Sequence, residues 1–303
     1  MKMAESAIFI EEESLMSVDE IVEMQQSRRE RMWLAAIISA AIITFIPTFI
    51  YWGERWVADT QNSLAFLVPF VCGYFVWKKW PEVVALRRQP SSMGLIIITL
   101  ALLLHLTAVV LDISGVSGIA VLMCLVGGCL YFHGPALIRT LAFPLAYLVF
   151  LVPIPGGVLD LIGFPLQLWA SGSAAVLLKF LGIEVVRNGV NMSVEGYNFQ
   201  VAQACSGLSS LVALIGVTAV FAYLTKLPTV YKWILFLLAL PIALAANVVR
   251  ITTIALVGYQ WGPDAATNVY HDWSSPILFM AAIGLLFLIN WGFEWLNQRQ
   301  TTS

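Results

Sequence analysis

Charge is what this sequence has least of. Of 303 residues only 11% are Asp, Glu, Lys or Arg, while 60% are apolar or aromatic; a soluble domain carries about 25% charged residues. A water-soluble fold is therefore excluded. Sixteen Lys and Arg against eighteen Asp and Glu leave a formal net charge of -2. Without a basic excess to neutralise phosphates, nucleic-acid binding is excluded as well. Cysteine and histidine are scarce, four and three residues. Cys124 and Cys129 are set so that they fall on different sides of a helix, which argues against a local metal or redox pair; nothing in the sequence calls for a metal or a cofactor. The N-terminus lacks the short basic lead, short apolar core and small-residue cleavage site of a secretory signal. No internal repeat, heptad pattern or low-complexity tract is present, which disfavours an inverted-repeat transporter.

Long apolar runs are what the chain has in their place. At about 20 residues per span the sequence reads as an all-α polytopic membrane protein. Eight spans are expected, near 33–52, 62–77, 93–111, 115–132, 136–152, 206–224, 233–254 and 275–296. Residues 1–32 are polar and charged and are expected to form a cytoplasmic segment ahead of a single membrane domain, 33–303. Residues 160–180 are apolar enough to span but carry Pro165, Gln167, Ser171, Gly172 and Ser173, which suit an interfacial helix or a piece lining a cavity. The preferred reading keeps 152–204 on the outer side, with an alternating run from Val186 to Val201 that suggests short strands or a hairpin. With the N-terminus inside, Lys and Arg divide twelve inside to four outside. If 160–180 crosses, three basic residues leave the inside and three enter it, so the positive-inside count orients only the first half.

Against that apolar background few residues can carry chemistry. Cys72, Cys124 and Cys129 lie within apolar runs, where a free thiol behaves as a small hydrophobe. Cys205 instead stands where a polar stretch gives way to the long apolar helix beginning near Ser206. A thiol at a helix N-terminus feels the positive end of the dipole, which favours the nucleophilic thiolate; the plainer alternative is a small residue that lets the helix enter closely. Arg250 lies in an apolar helix, with Asn247 one turn earlier making a polar stripe. A guanidinium there needs a partner or a wet cavity, although seventeen residues from Trp233 at ~1.5 Å each bring it near the interface, where it could snorkel to headgroups. His105 and His133 read as structural. His271, beside Asp272 and just before the last span, is placed to move protons near neutral pH. Cys205 and Arg250 are separated by two crossings and Arg250 and His271 by none, so all three meet at one membrane face whether or not 160–180 spans. A nucleophile, a cation and a base at one boundary are the parts of thiol-based acyl transfer.

These residues resemble the exosortases and their archaeal counterparts, the archaeosortases. The resemblance rests on Ala204-Cys205-Ser206-Gly207-Leu208 followed by Ser210-Leu211, on Asn247-Val248-Val249-Arg250-Ile251, and on His271 with Phe279 eight residues on. Upstream it extends to Pro153-Ile154-Pro155 and Pro165-Leu166-Gln167. It implies a membrane cysteine endopeptidase and transpeptidase that recognises a C-terminal sorting tail on exported proteins: a Pro-Glu-Pro-like motif, one membrane helix and a basic cluster. Cys205 would be the nucleophile, Arg250 the stabiliser of thiolate or oxyanion and His271 the general acid and base, at the outer face of the inner membrane. Extracellular polysaccharide machinery is a further expected partner, beside the lipid bilayer. Two departures from the family pattern are Gln203 where Glu is common and Ser275 where Gly is common. Readings from other classes remain: a transporter or export-complex scaffold without covalent chemistry, and a membrane acyltransferase.

Overall fold

A segment that enters a bilayer must satisfy its backbone polar groups internally, and a helix does so within one stretch of chain. The computed structural model describes residues 18–58, 64–194, 197–201, 208–266 and 271–302. In chain order its elements are α1 (Val18–Ala58), α2 (Val68–Ala85), α3 (Met93–Val110), α4 (Ser114–Phe132), α5 (Pro135–Thr140), α6 (Ala142–Tyr147), a 3-10 turn (Leu148–Leu151), α7 (Gly156–Phe180), three strands β1 (Val185–Asn188), β2 (Asn191–Val194) and β3 (Tyr197–Gln200), then α8 (Leu208–Leu224), α9 (Thr229–Trp261) and α10 (His271–Thr302). The chain divides into two compact units, 1–51 and 52–303. In the first, Ile37, Ile38, Ile42 and Ile43 of α1 are exposed, as lipid-facing residues of a span are.

The all-α membrane architecture is the one expected, but the count of eight spans is not confirmed. Among the described residues six helices are long and apolar enough to cross: Ala36–Ala58, Met93–Val110, Gly115–Phe132, Asp160–Phe180, Thr229–Trp261 and Trp273–Arg299. The doubtful segment 160–180 is one of these by length and composition. Three expected spans are not among them, two for visible reasons. α2 carries Lys78, Lys79 and Glu82 in its second half, with a 2.9 Å ion pair between Lys79 and Glu82. The run 136–152 breaks into two six-residue helices and a 3-10 turn. Pro144 explains the break, because its ring crowds the carbonyl four residues back, that of Thr140, where α5 ends. α8 follows the expected span from Leu208 to Leu224 as a shorter apolar helix; 206–207, where the expected span begins, lie outside the described residues.

Small residues set the closest helix contact. Along α3, Gly94, Ala101 and Ala108 are buried at seven-residue spacing, and a Cβ on Gly94 would fall on the backbone of Gly127 and Tyr131 in α4. With so little side chain between them, the two backbones approach as small-residue seams in membranes do. His105 and Ser117 share a buried 2.6 Å hydrogen bond across this seam, so the expectation of a structural His105 holds.

The end of α7 builds the turn into the sheet. Gly182, at φ +82, lets the chain leave the helix, with Gly182 N–H donating to Lys179 O and Ile183 N–H to Leu178 O. This paired capping pattern satisfies the last carbonyls and brings Ile183 down onto the core that contains Leu178. β1, β2 and β3 then form an antiparallel meander in that order. The first hairpin turns through Gly189, at φ +63, and Val190, which is not at positive φ; that combination suits a two-residue turn with glycine first. The alternating stretch Val186–Val201 thus does contain strands. Val185, Met192 and Val194 face inward and pack with Val201, with Ala170, Ala174, Ala175 and Leu178 of α7, and with Ile251 and Ala255 of α9. Polar ties reinforce the docking: Arg187 Nη1 donates to Leu168 O at 2.9 Å and to Ser171 Oγ at 3.1 Å, and Ser171 Oγ donates to Gly189 O at 3.3 Å.

Candidate functional site

The sheet sits against α9 at the level of Arg250, because Ile251, the next residue, belongs to the core beneath it. On its other side α9 packs with α8 and α10 around Leu208, Leu211, Leu214, Leu235, Ala239, Ala243, Ala282 and Leu286. Alanines at these crossings keep the three helices close. Near the first turns of α8 and α10 the packing leaves a cavity of about 20 Å³, lined by Ser210, Asn247, Arg250, Ser275 and Phe279 among others. That is room for about one water-sized group, the size of a carbonyl oxygen.

Arg250 is half-buried, and its Nε donates to Ser274 Oγ at 3.3 Å. Ser274 is itself 1% exposed and Asn247, one turn before Arg250, 4%. A guanidinium presents five N–H donors; Nε is directed to α10, and the Nη groups are the fork that can serve a substrate acceptor. Held in a small, largely apolar cleft, such donors bind developing negative charge more strongly than they would in water.

Of the three predicted site residues, the structure describes Arg250 fully, His271 in part and Cys205 not at all. His271 is the first residue of α10; its side chain lies outside the described residues, as does the whole of 202–207, which contains Cys205. The chain positions around them are on view. Ser210, five residues after Cys205, and Ser275, four after His271, line the same cavity as Arg250. The bundle therefore brings the beginning of α8, the polar stripe of α9 and the beginning of α10 to one place. Sequence reasoning missed Ser274 as a partner of Arg250; the signal was its position three residues after His271, which was expected at the same membrane face as Arg250.

The other cysteines and histidines lie elsewhere. Cys72 is buried and donates to Pro144 O at 3.3 Å, while Cys124 and Cys129 are free thiols within α4. His133 caps the end of α4, donating its N–H to Cys129 O and accepting from Gln89 N–H through its carbonyl. These are packing and turn roles.

Six helices among the described residues that are long and apolar enough to cross a bilayer define an integral membrane protein. Residues 56–288 match the transmembrane exosortase (Exosortase_EpsH) family, and the chain belongs to that family. Membership carries a protein-sorting transpeptidase or protease role in general. No curated protein and no solved structure matches the chain.

Proposed function

We propose that the chain is a cysteine endopeptidase and transpeptidase that cleaves a C-terminal sorting tail from exported proteins, with its site at the outer face of the inner membrane. Cys205 is the nucleophile, His271 the general acid and base, and Arg250 the cation that stabilises thiolate and oxyanion. The observation that carries the reading is the cleft in which Arg250 lies beside the first turns of α8 and α10. Cys205 precedes the first by a few residues and His271 opens the second.

In the proposed reaction the Cys205 thiol gives its proton to His271, and the sulfur attacks the scissile carbonyl. The carbonyl π electrons move onto oxygen, and Arg250 holds that oxyanion. Collapse breaks the C–N bond, with the leaving amine taking the proton from His271, and leaves a thioester. Water or an acceptor nucleophile, deprotonated by His271, then attacks the thioester and the thiol is regenerated. Residues 1–32 lie on the cytoplasmic side and 152–204 on the outer side in this arrangement, with α7 as an interfacial helix that does not cross, and extracellular polysaccharide machinery is a candidate partner.

The test uses the full-length enzyme in its own membrane with a tagged host protein that carries a tail of motif, helix and basic cluster. Cys205→Ala is expected to abolish processing, and wild-type enzyme to accumulate a peptidyl adduct on the thiol when acceptor is limiting. Normal processing by Cys205→Ala would overturn the nucleophile assignment.

A further inference from the structure

We infer that the outward face of the three-stranded sheet is a docking surface for an extended, uncharged segment of the exported protein on which the enzyme acts. The inference rests on the proposed peptidase reading and adds where the substrate chain lies. Register defines the face. Val186, Ser193 and Asn198 are directly opposite one another across the three strands, and so are Asn188, Asn191 and Gln200. These two rows point the same way, because side chains alternate along a strand. Their opposite numbers face the core, with Met192 2% and Val194 0% exposed. The outward face has no such cover: Val186 is 73% exposed, and Asn188, Asn191, Asn198 and Gln200 are exposed too. It lines an open concavity of about 380 Å³, within the range of small-ligand sites.

Its chemistry selects the occupant. Four amides and one hydroxyl, with no Asp, Glu, Lys or Arg among the lining residues, offer donors and acceptors in the same side chains. An anionic headgroup or phosphate would call for Lys or Arg, and a cation for carboxylates. Sugar rings are held by stacking on an aromatic plane, and Phe199, the one aromatic residue bordering the concavity, is partly buried and packs against Ile254 and Ala266. A peptide backbone fits. The two rows are two residues apart along the strands, about 6.8 Å, which is also the interval at which an extended chain repeats its carbonyl and N–H groups on one side. An extended peptide running along the strands meets the amides of Asn188, Asn191 and Gln200 at one repeat and Ser193 with the Asn198 amide at the next, with Val186 as its apolar contact.

The face is also within reach of the chemistry. Gln200 is five residues before Cys205, a tether of at most about 17 Å. On its buried side the sheet packs on Ile251, the neighbour of Arg250. A segment bound here therefore belongs to the part of the substrate within several residues of the scissile bond.

The experiment places a benzophenone amino acid at Val186 in full-length Cys205→Ala enzyme, in membranes that also contain a tagged exported reporter bearing a host sorting tail. Irradiation is expected to cross-link enzyme to reporter, and mass spectrometry to locate the link in the extended segment beside the tail motif. In parallel, Asn188→Ala with Gln200→Ala in active enzyme is expected to raise KM at least about fivefold, one hydrogen bond's worth, with kcat unchanged. A cross-link only to glycan or lipid, a link to the reporter's folded domain, or an unchanged KM overturns the docking assignment. Failure of the peptidase reading shows separately, as processing that survives Cys205→Ala.

Discussion

Ser274→Ala tests whether the hydroxyl that accepts from Arg250 Nε aims the guanidinium. The Ser274 hydroxyl accepts from Arg250 Nε at 3.3 Å and is buried at 1% exposure, so it acts on substrate only through the guanidinium it orients. Hydrogen bonds to charged groups contribute about 1.5–3 kcal/mol. At 3.3 Å this one is longer than the strong charge-assisted bonds of about 2.7–2.9 Å, which puts it at the low end. A loss of about 1.5 kcal/mol corresponds to roughly a tenfold lower rate. Because the fork is misdirected in the transition state while substrate binding is untouched, the loss belongs to kcat with KM unchanged. The assay is cleavage of a tagged sorting-tail substrate by reconstituted full-length enzyme, with Ser274→Thr as the conservative control. Thr keeps the hydroxyl and is expected to restore most of the rate, whereas Arg250→Lys, with charge but no fork, is not. Wild-type kcat in Ser274→Ala would refute the idea that this bond aims Arg250; a fall in Ser274→Thr equal to that in Ser274→Ala would reduce the effect to packing.

Two further outcomes follow from the packing. Gly94→Ala forces the α3 and α4 backbones apart, since the new Cβ meets Gly127 and Tyr131 main-chain atoms; it is expected to destabilise by about 1–3 kcal/mol, seen as a lower melting temperature in detergent. Gly128→Ala, with nothing within 4 Å of its Cβ, is the neutral control, and equal melting of the two variants would contradict the close contact. Arg187→Ala removes the bonds to Leu168 O and Ser171 Oγ. Loss of about 1 kcal/mol there should speed hydrogen exchange in the β1–β2 hairpin about fivefold, and unchanged exchange would show that the apolar side alone holds the sheet.

What could be read from the residues alone depended on how local the determining physics is. The uninterrupted apolar run of α3 and the strand alternation after Val185 are properties of neighbouring residues, and both were legible. The break at 141–144 was not, although Pro144 stood in the sequence, because apolar content over 136–152 masked one residue's steric conflict with the preceding turn. The count of eight spans is not confirmed for a similar reason, since hydropathy does not see where a helix ends. At the cleft, Arg250 announced itself by the cost of a cation in an apolar helix. Its partner did not: which of Trp273, Ser274 and Ser275 faces Arg250 is set by the rotation of α10 about its own axis, and that follows from distant contacts such as Ala282 and Leu286 against α8 and α9.

α9 is longer than a membrane is thick. Thirty-three residues at ~1.5 Å each make a rod of about 50 Å, against a hydrocarbon layer of about 30 Å. Counted from Trp233, a layer's worth of helix is used up near Thr252, yet the rod continues through Ile254, Ala255 and Leu256, residues that water would penalise. They are clothed by protein: Ala255 is 0% and Ile254 7% exposed, under the sheet and the end of α7. Along these residues the meander thus works as a collar of protein on the side of the rod it covers. The rod in turn is the post to which the collar is fitted, so that the height of the sheet, and of whatever rests on it, is set by the helix that carries Arg250.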